Sequence, residues 1–169
     1  MPPLSSVAFA ALASGALAAT VVDIRSRRIP NELTATMAGV GIGLAATGLS
    51  GVSLVGSIAG LALGLALMLP GHALGATGAG DVKLMAAVGA IVGPALVFSA
   101  FLFTAIAGGV LAVAVAARRR SLGATLAGTG RLITAPAGAR QELEAAGGSS
   151  RFAYGPAIAI GSVLAALMG

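Results

Sequence analysis

Cysteine and tryptophan are absent from the 169 residues, histidine and tyrosine occur once each, and only 9% of the chain is charged. Each shortage removes a chemistry. Without cysteine there is no disulfide framework, no thiolate metal site and no cysteine nucleophile. His72 cannot form a metal site alone, and no cofactor is expected. With no tryptophan and a single tyrosine there is no aromatic platform for stacking nucleic acid bases. The net charge of +5 therefore reads as membrane topology, and no nucleic acid partner is expected.

The scarcity of charge also decides the solvent. A soluble domain keeps about a quarter of its residues charged, whereas this chain is 57% hydrophobic with a mean hydropathy of +1.01. The expected surroundings are lipid, and the expected fold class is an all-α integral membrane protein. The 26 glycines fit this reading. Small residues let membrane helices approach closely where no hydrophobic effect drives them together. Gly56, Gly60 and Gly64 form one such face.

A helix needs roughly 17 to 25 apolar residues to cross the hydrocarbon core. Apolar runs occupy 4–22, 33–49, 52–69, 84–117 and 153–168. The fourth is about twice too long for one crossing, and Val92, Gly93 and Pro94 offer the place to turn it, giving spans near 80–94 and 96–117. Six transmembrane helices then leave the connections 23–32, 71–83 and 118–152 on one side. All ten Lys and Arg residues fall there: Arg25, Arg27, Arg28, Lys83, Arg118, Arg119, Arg120, Arg131, Arg140 and Arg151. Basic loops stay in the cytoplasm, so this side is expected to be cytoplasmic, with both termini outward. The chain reads as one polytopic domain, 1–169. Its first apolar stretch is expected to be a retained helix rather than a cleaved signal peptide, because it lacks a positive n-region and is followed by arginines. Between 121 and 150, Leu122, Thr125, Leu126, Thr129, Leu132 and Ile133 keep helical spacing, which suits an interfacial helix or, equally, a solvated linker.

The five acidic residues, Asp23, Glu32, Asp81, Glu142 and Glu144, lie on the same side as the bases. Only two are aspartates. Asp23 ends the first span and Asp81 begins the fourth, at one membrane depth, where an ionisable group is a functional candidate by default. Two facing carboxylates are the minimal apparatus for hydrolysing an amide without metal, serine or cysteine: one keeps its proton and polarises the carbonyl, the other takes a proton from water. Gly78 and Gly80 are expected to let the backbone turn sharply and a substrate strand approach Asp81. Each acid has a plainer reading as well. Asp81 suits a helix cap, and Asp23 suits an interfacial acid paired with Arg25, Arg27 or Arg28. His72 reads as a loop residue and Glu32 as a first-turn complement to the helix dipole. The stretch Gly75 to Lys83 is neither a Walker A loop nor a dinucleotide fingerprint.

Three motifs carry a family resemblance. "DIRSRRIPN", residues 23–31, resembles the first aspartate motif of the type IV prepilin peptidases, "GAGDVKL", residues 78–84, resembles their Gly-x-Gly-Asp-x-Lys-Leu motif, and "YGPAIAIG", residues 154–161, resembles their last-helix signature. The resemblance implies a membrane aspartic endopeptidase of the inner (cytoplasmic) membrane, with Asp23 and Asp81 as catalytic dyad facing the cytoplasm. Pro30, Asn31, Gly78, Gly80 and Lys83 would shape the site or bind substrate. The implied partners are prepilins or pseudopilins with a short basic leader and a hydrophobic helix, besides membrane lipids; homo-oligomerisation stays open. Lacking cysteine and the extra cytoplasmic domain of the long members, the chain resembles the short form known from tight-adherence pilus systems, for which N-methylation is not implied. Two other classes remain: a small proton-coupled transporter using the acids as a relay, and a non-catalytic assembly component of a pilus or secretion system.

Overall fold

The computed structural model describes residues 4–118 and 154–169, so the 121–150 segment, with its spaced leucines, lies outside the described residues. The described residues form five helices: α1 (Ser6–Ser26), α2 (Asn31–Ala46), α3 (Leu54–Ala73), α4 (Ala79–Arg118) and α5 (Gly155–Met168). No strand occurs among them. Three helical stretches are long and apolar enough to cross a membrane: Ser6–Ser26, Leu54–Ala73 and Ala79–Leu111.

Local chemistry sets the ends. Ser5 and Ser53 cap α1 and α3, each hydroxyl accepting from the N–H three residues on, Ala8 at 3.1 Å and Gly56 at 3.0 Å. Arg27 ends α1 in the left-handed region, φ 52°, with its N–H on Asp23 O. At Gly93, φ 79° and ψ 176° break the ladder of α4. Pro94 follows, without an N–H to continue it. Only glycine adopts that φ cheaply.

The contacts show where the broken helix goes. The first half of α4 lies antiparallel to α3, with Gly60 on the backbone of Gly89 and Gly93 and Gly64 on that of Met85. The second half runs antiparallel to α5: Leu96 lies by Gly169, Ala100 and Thr104 by Gly161, and Gly108 by Tyr154. The chain therefore reverses at Gly93. One end of the bundle gathers Ser5, Leu49, Ser50, Val52 and Gly93. The opposite end gathers the last turn of α1, Ile29 and the starts of α4 and α5.

Glycine is the packing currency of the interior. A Cβ on Gly60, Gly64 or Gly41 would overlap the main chain of α4, so these helices meet backbone to backbone. The expected Gly56 differs from its two partners: its Cβ would touch only Ser53 and Val52, within its own turn. Between the helices lie Leu12, Leu84, Met85, Val88, Ile91, Val97 and Ile158, all fully buried. Outward faces are apolar too, as Leu17, Val55, Ile106 and Leu167 show.

Candidate active site

Asp23 sits in the last turn of α1 and is 5% exposed. Its Oδ2 accepts a 2.8 Å hydrogen bond from the N–H of Gly155, 132 residues away. That N–H opens α5, where Pro156 follows at the start of the helix. The first amides of a helix have no partner within it and carry the positive end of its dipole, which suits a carboxylate. Asp23 thus takes a hydrogen bond from the head of α5.

Asp81 occupies the first turn of α4 and is 8% exposed. Its Oδ2 accepts from Gly78 N–H at 2.9 Å, the reach of a third-position acid back to the residue before the helix. The plain capping reading is therefore half met. Asp81 supports the helix start from inside, while Gly78 holds the position ahead of it. No hydrogen bond engages Oδ1 of either acid among the described residues, so each keeps one oxygen for other work.

Two contacts bring the acids' loops together. Ile29, between α1 and α2, packs on Gly80, where a Cβ would lie 3.1 Å from the Ile29 Cβ. Lys83 Nζ donates to Asn31 Oδ1 at 2.7 Å, tying the start of α4 to the start of α2. The loop ahead of Asp81 is wound by Ala76 N–H on Gly71 O at 2.8 Å and by a left-handed Gly75, φ 77°. His72 closes it: Nδ1 lies 3.0 Å from Thr77 O and, facing a carbonyl, must carry the proton.

These elements enclose one pocket of about 300 Å³, lined by both aspartates, by Arg27, Arg28 and Lys83, and by the 75–80 loop. Asn31, Gly78, Gly80 and Lys83 all reach its wall. Pro30 does not; exposed, it stands immediately ahead of α2 and sets that helix's entry. The expected use of the glycines also changes. Neither Gly78 nor Gly80 has a positive φ; the sharp turn belongs to Gly75. The space beside Gly80 is filled by Ile29, and that beside Gly78 by the Asp81 carboxylate at 3.1 Å. His72 lies in the last turn of α3 rather than in a loop.

Sequence reasoning missed Ile29 and Gly155. Both stand inside quoted motifs, and Gly-Pro at a helix start is a legible signal. Their contacts are not, since each meets an element far off in the chain. Among the described residues no group of three or more His, Cys, Asp or Glu gathers where a metal could be held.

No curated protein and no solved structure matches the chain. The model of the type IV leader peptidase family matches residues 10–113, a stretch that carries both aspartates, both of their loops and the Gly93 reversal. With more than half of its length matched, and both acid-bearing loops within the match, the chain belongs to the type IV leader peptidase family.

Proposed function

We propose that the protein is a membrane aspartic endopeptidase that removes the short basic leader from a prepilin or pilin-like protein, with Asp23 and Asp81 as its catalytic pair. The observation that carries this is the convergence of the chain's only two aspartates, from the end of α1 and the start of α4, on one pocket. Each has one oxygen held by a backbone N–H, and among the described residues no hydrogen bond is made to the other.

The chemistry needs one carboxylate ionised and one protonated, the arrangement that close like charges favour. The ionised acid takes a proton from water as the water oxygen bonds to the scissile carbonyl carbon. The protonated acid hydrogen-bonds the carbonyl oxygen and gives it that proton as the tetrahedral diol forms. Collapse of the diol re-forms the carbonyl and breaks the C–N bond, with a proton delivered to the departing nitrogen. The pair then again holds one proton, ready for the next water.

Six crossings agree with the antiparallel course of the helices and the reversal at Gly93. The basic residues Arg25, Arg27, Arg28 and Lys83 then share the pocket's end, which the positive-inside rule makes cytoplasmic, in the inner membrane, with both termini outward. Beside Asp23 the outward face of α1 is apolar, with Ile24 62% exposed. A pilin's hydrophobic helix has a surface there to lie against while its leader stays at the pocket.

The test is leader removal from a co-expressed prepilin. Asp23→Asn and Asp81→Asn, each of nearly unchanged size, should both abolish processing, a loss of at least about 10³-fold for either acid. Undiminished cleavage by either variant would refute the reading.

A further inference from the structure

We infer that Gly155 is a positioning residue for the peptidase reaction, acting through Asp23; the inference rests on the two-aspartate reading above. Two independent features of Gly155 bear on the carboxylate. Its N–H is the donor that engages Oδ2, at 2.8 Å in a buried setting. Its missing side chain is also required, since a Cβ there would lie 2.8 Å from Oδ2, 3.0 Å from Cβ and 3.2 Å from Cγ of Asp23.

The local sequence removes two of the competing donors. Pro156 has no amide hydrogen, and the N–H of Ile158 is already used on Tyr154 O. Gly155 therefore supplies a directed donor at the head of α5, and Asp23 closes against it with no side chain between. With Oδ2 held, rotation of the carboxylate is restrained, and Oδ1, which takes no hydrogen bond among the described residues, is the oxygen assigned to water. Asp81 reaches the same state by a local route, its Oδ2 held by Gly78 three residues away. The two acids are set alike, one by its own helix start and the other by a helix from the far end of the chain.

The nature of the clash separates this role from ordinary helix docking. The three nearest atoms to a Cβ at Gly155 all belong to the Asp23 side chain: Oδ2 and Cγ can swing aside, and the Asp23 Cβ, at 3.0 Å, asks for only a few tenths of an ångström of give. At Gly161, one turn and a half further along α5, a Cβ would meet backbone as well: Thr104 N at 2.5 Å and Ala100 O at 2.7 Å. Alanine at 161 must push helices apart. Alanine at 155 must turn the carboxylate and ease α5 from the Asp23 Cβ by a few tenths of an ångström, a smaller shift than at 161.

The experiment compares Gly155→Ala, Gly161→Ala and Asp23→Asn in the full chain, purified in detergent, with a prepilin carrying its leader as substrate. Gly155→Ala should lower kcat by about 10²-fold, the effect of misplacing a reacting group by about 1 Å. Its KM should stay within about 3-fold of the parent, and its thermal midpoint should stay close to the parent's. Gly161→Ala should instead lower the midpoint. A parental kcat for Gly155→Ala overturns the inference, as does a kcat loss matched by a fall in midpoint like that of Gly161→Ala. If Asp23→Asn cleaves at the parental rate, the two-aspartate reading fails and the role of Gly155 falls with it; if Asp23→Asn is inactive while Gly155→Ala is normal, only the role of Gly155 fails.

Discussion

Lys83 Nζ and Asn31 Oδ1 share a 2.7 Å hydrogen bond across 52 residues of sequence. Each belongs to a different aspartate's motif, so the bond is a strut between the two halves of the site. It lies at the exposed rim, where a hydrogen bond to a charged group contributes modestly, on the order of 1 kcal/mol. Lys83→Ala and Asn31→Ala should each lower kcat/KM by about 5-fold, and the double variant by no more than the worse single one, since both remove the same bond. Multiplicative losses in a prepilin cleavage assay would show that the two side chains act separately.

Lengthening either acid tests how tightly its carboxylate is placed. In Asp81→Glu the extra methylene pushes the carboxylate past the Gly78 N–H that now holds it. In Asp23→Glu it drives the group into Gly155, which already has no room for a Cβ. Losses of about 10²-fold in kcat are expected for both. Near-normal turnover by either glutamate variant would mean that its carboxylate has slack that the geometry denies.

Gly80 should be sensitive for a reason unconnected with substrate. Its Cβ would lie 3.1 Å from the Ile29 Cβ and 3.4 Å from the Ile29 backbone N. Gly80→Ala should therefore wedge the 27–30 loop away from α4, lowering cleavage by about 10-fold. Removing the 3.1 Å neighbour, in Gly80→Ala with Ile29→Gly, should restore part of it. If trimming gives no recovery, the glycine serves something other than this contact.

Helix packing makes opposite predictions for two other glycines. A Cβ on Gly64 would overlap Met85 O, whereas one on Gly43 meets nothing within 4 Å. Gly64→Ala should destabilise by about 1 to 3 kcal/mol, the usual cost of overpacking. Gly43→Ala should be neutral or slightly stabilising, because alanine is the better helix former. Thermal unfolding in detergent, with both variants beside the parent, reads the difference directly.

Much of this was legible because charge cannot hide in an apolar chain. Asp23 and Asp81 stand out where 9% of residues are charged, and the glycine before Pro94 marks the break in α4. Helix ends were less legible. The apolar run after Leu33 continues to Leu49, but α2 stops at Ala46, because Gly48 at φ 73° turns the chain and Leu44 O takes the N–H groups of Leu49 and Ser50. Conversely α1 continues past the last apolar residue of its run to Ser26, since its hydrogen bonds run on to Arg27. Hydropathy records where a lipid boundary suits the side chains; the backbone ends a helix on its own terms. The links between Asp23 and Gly155 and between Ile29 and Gly80 left no pattern in the sequence, because each is a backbone approach between elements whose proximity only the packed bundle creates.

The hydrogen bond from Gly155 to Asp23 also sets an order of events in time. Gly78 can hold Asp81 as soon as the start of α4 exists, since donor and acceptor are three residues apart. Asp23, made first, acquires its donor only after residue 155 has been synthesised and α5 has come to rest against α1. A chain still being inserted thus carries one finished acid and one unfinished acid. On the two-aspartate reading proposed above, the pair is complete only once α5 has come to rest against α1, so a chain whose apolar segments are still entering the bilayer is not yet competent to cleave.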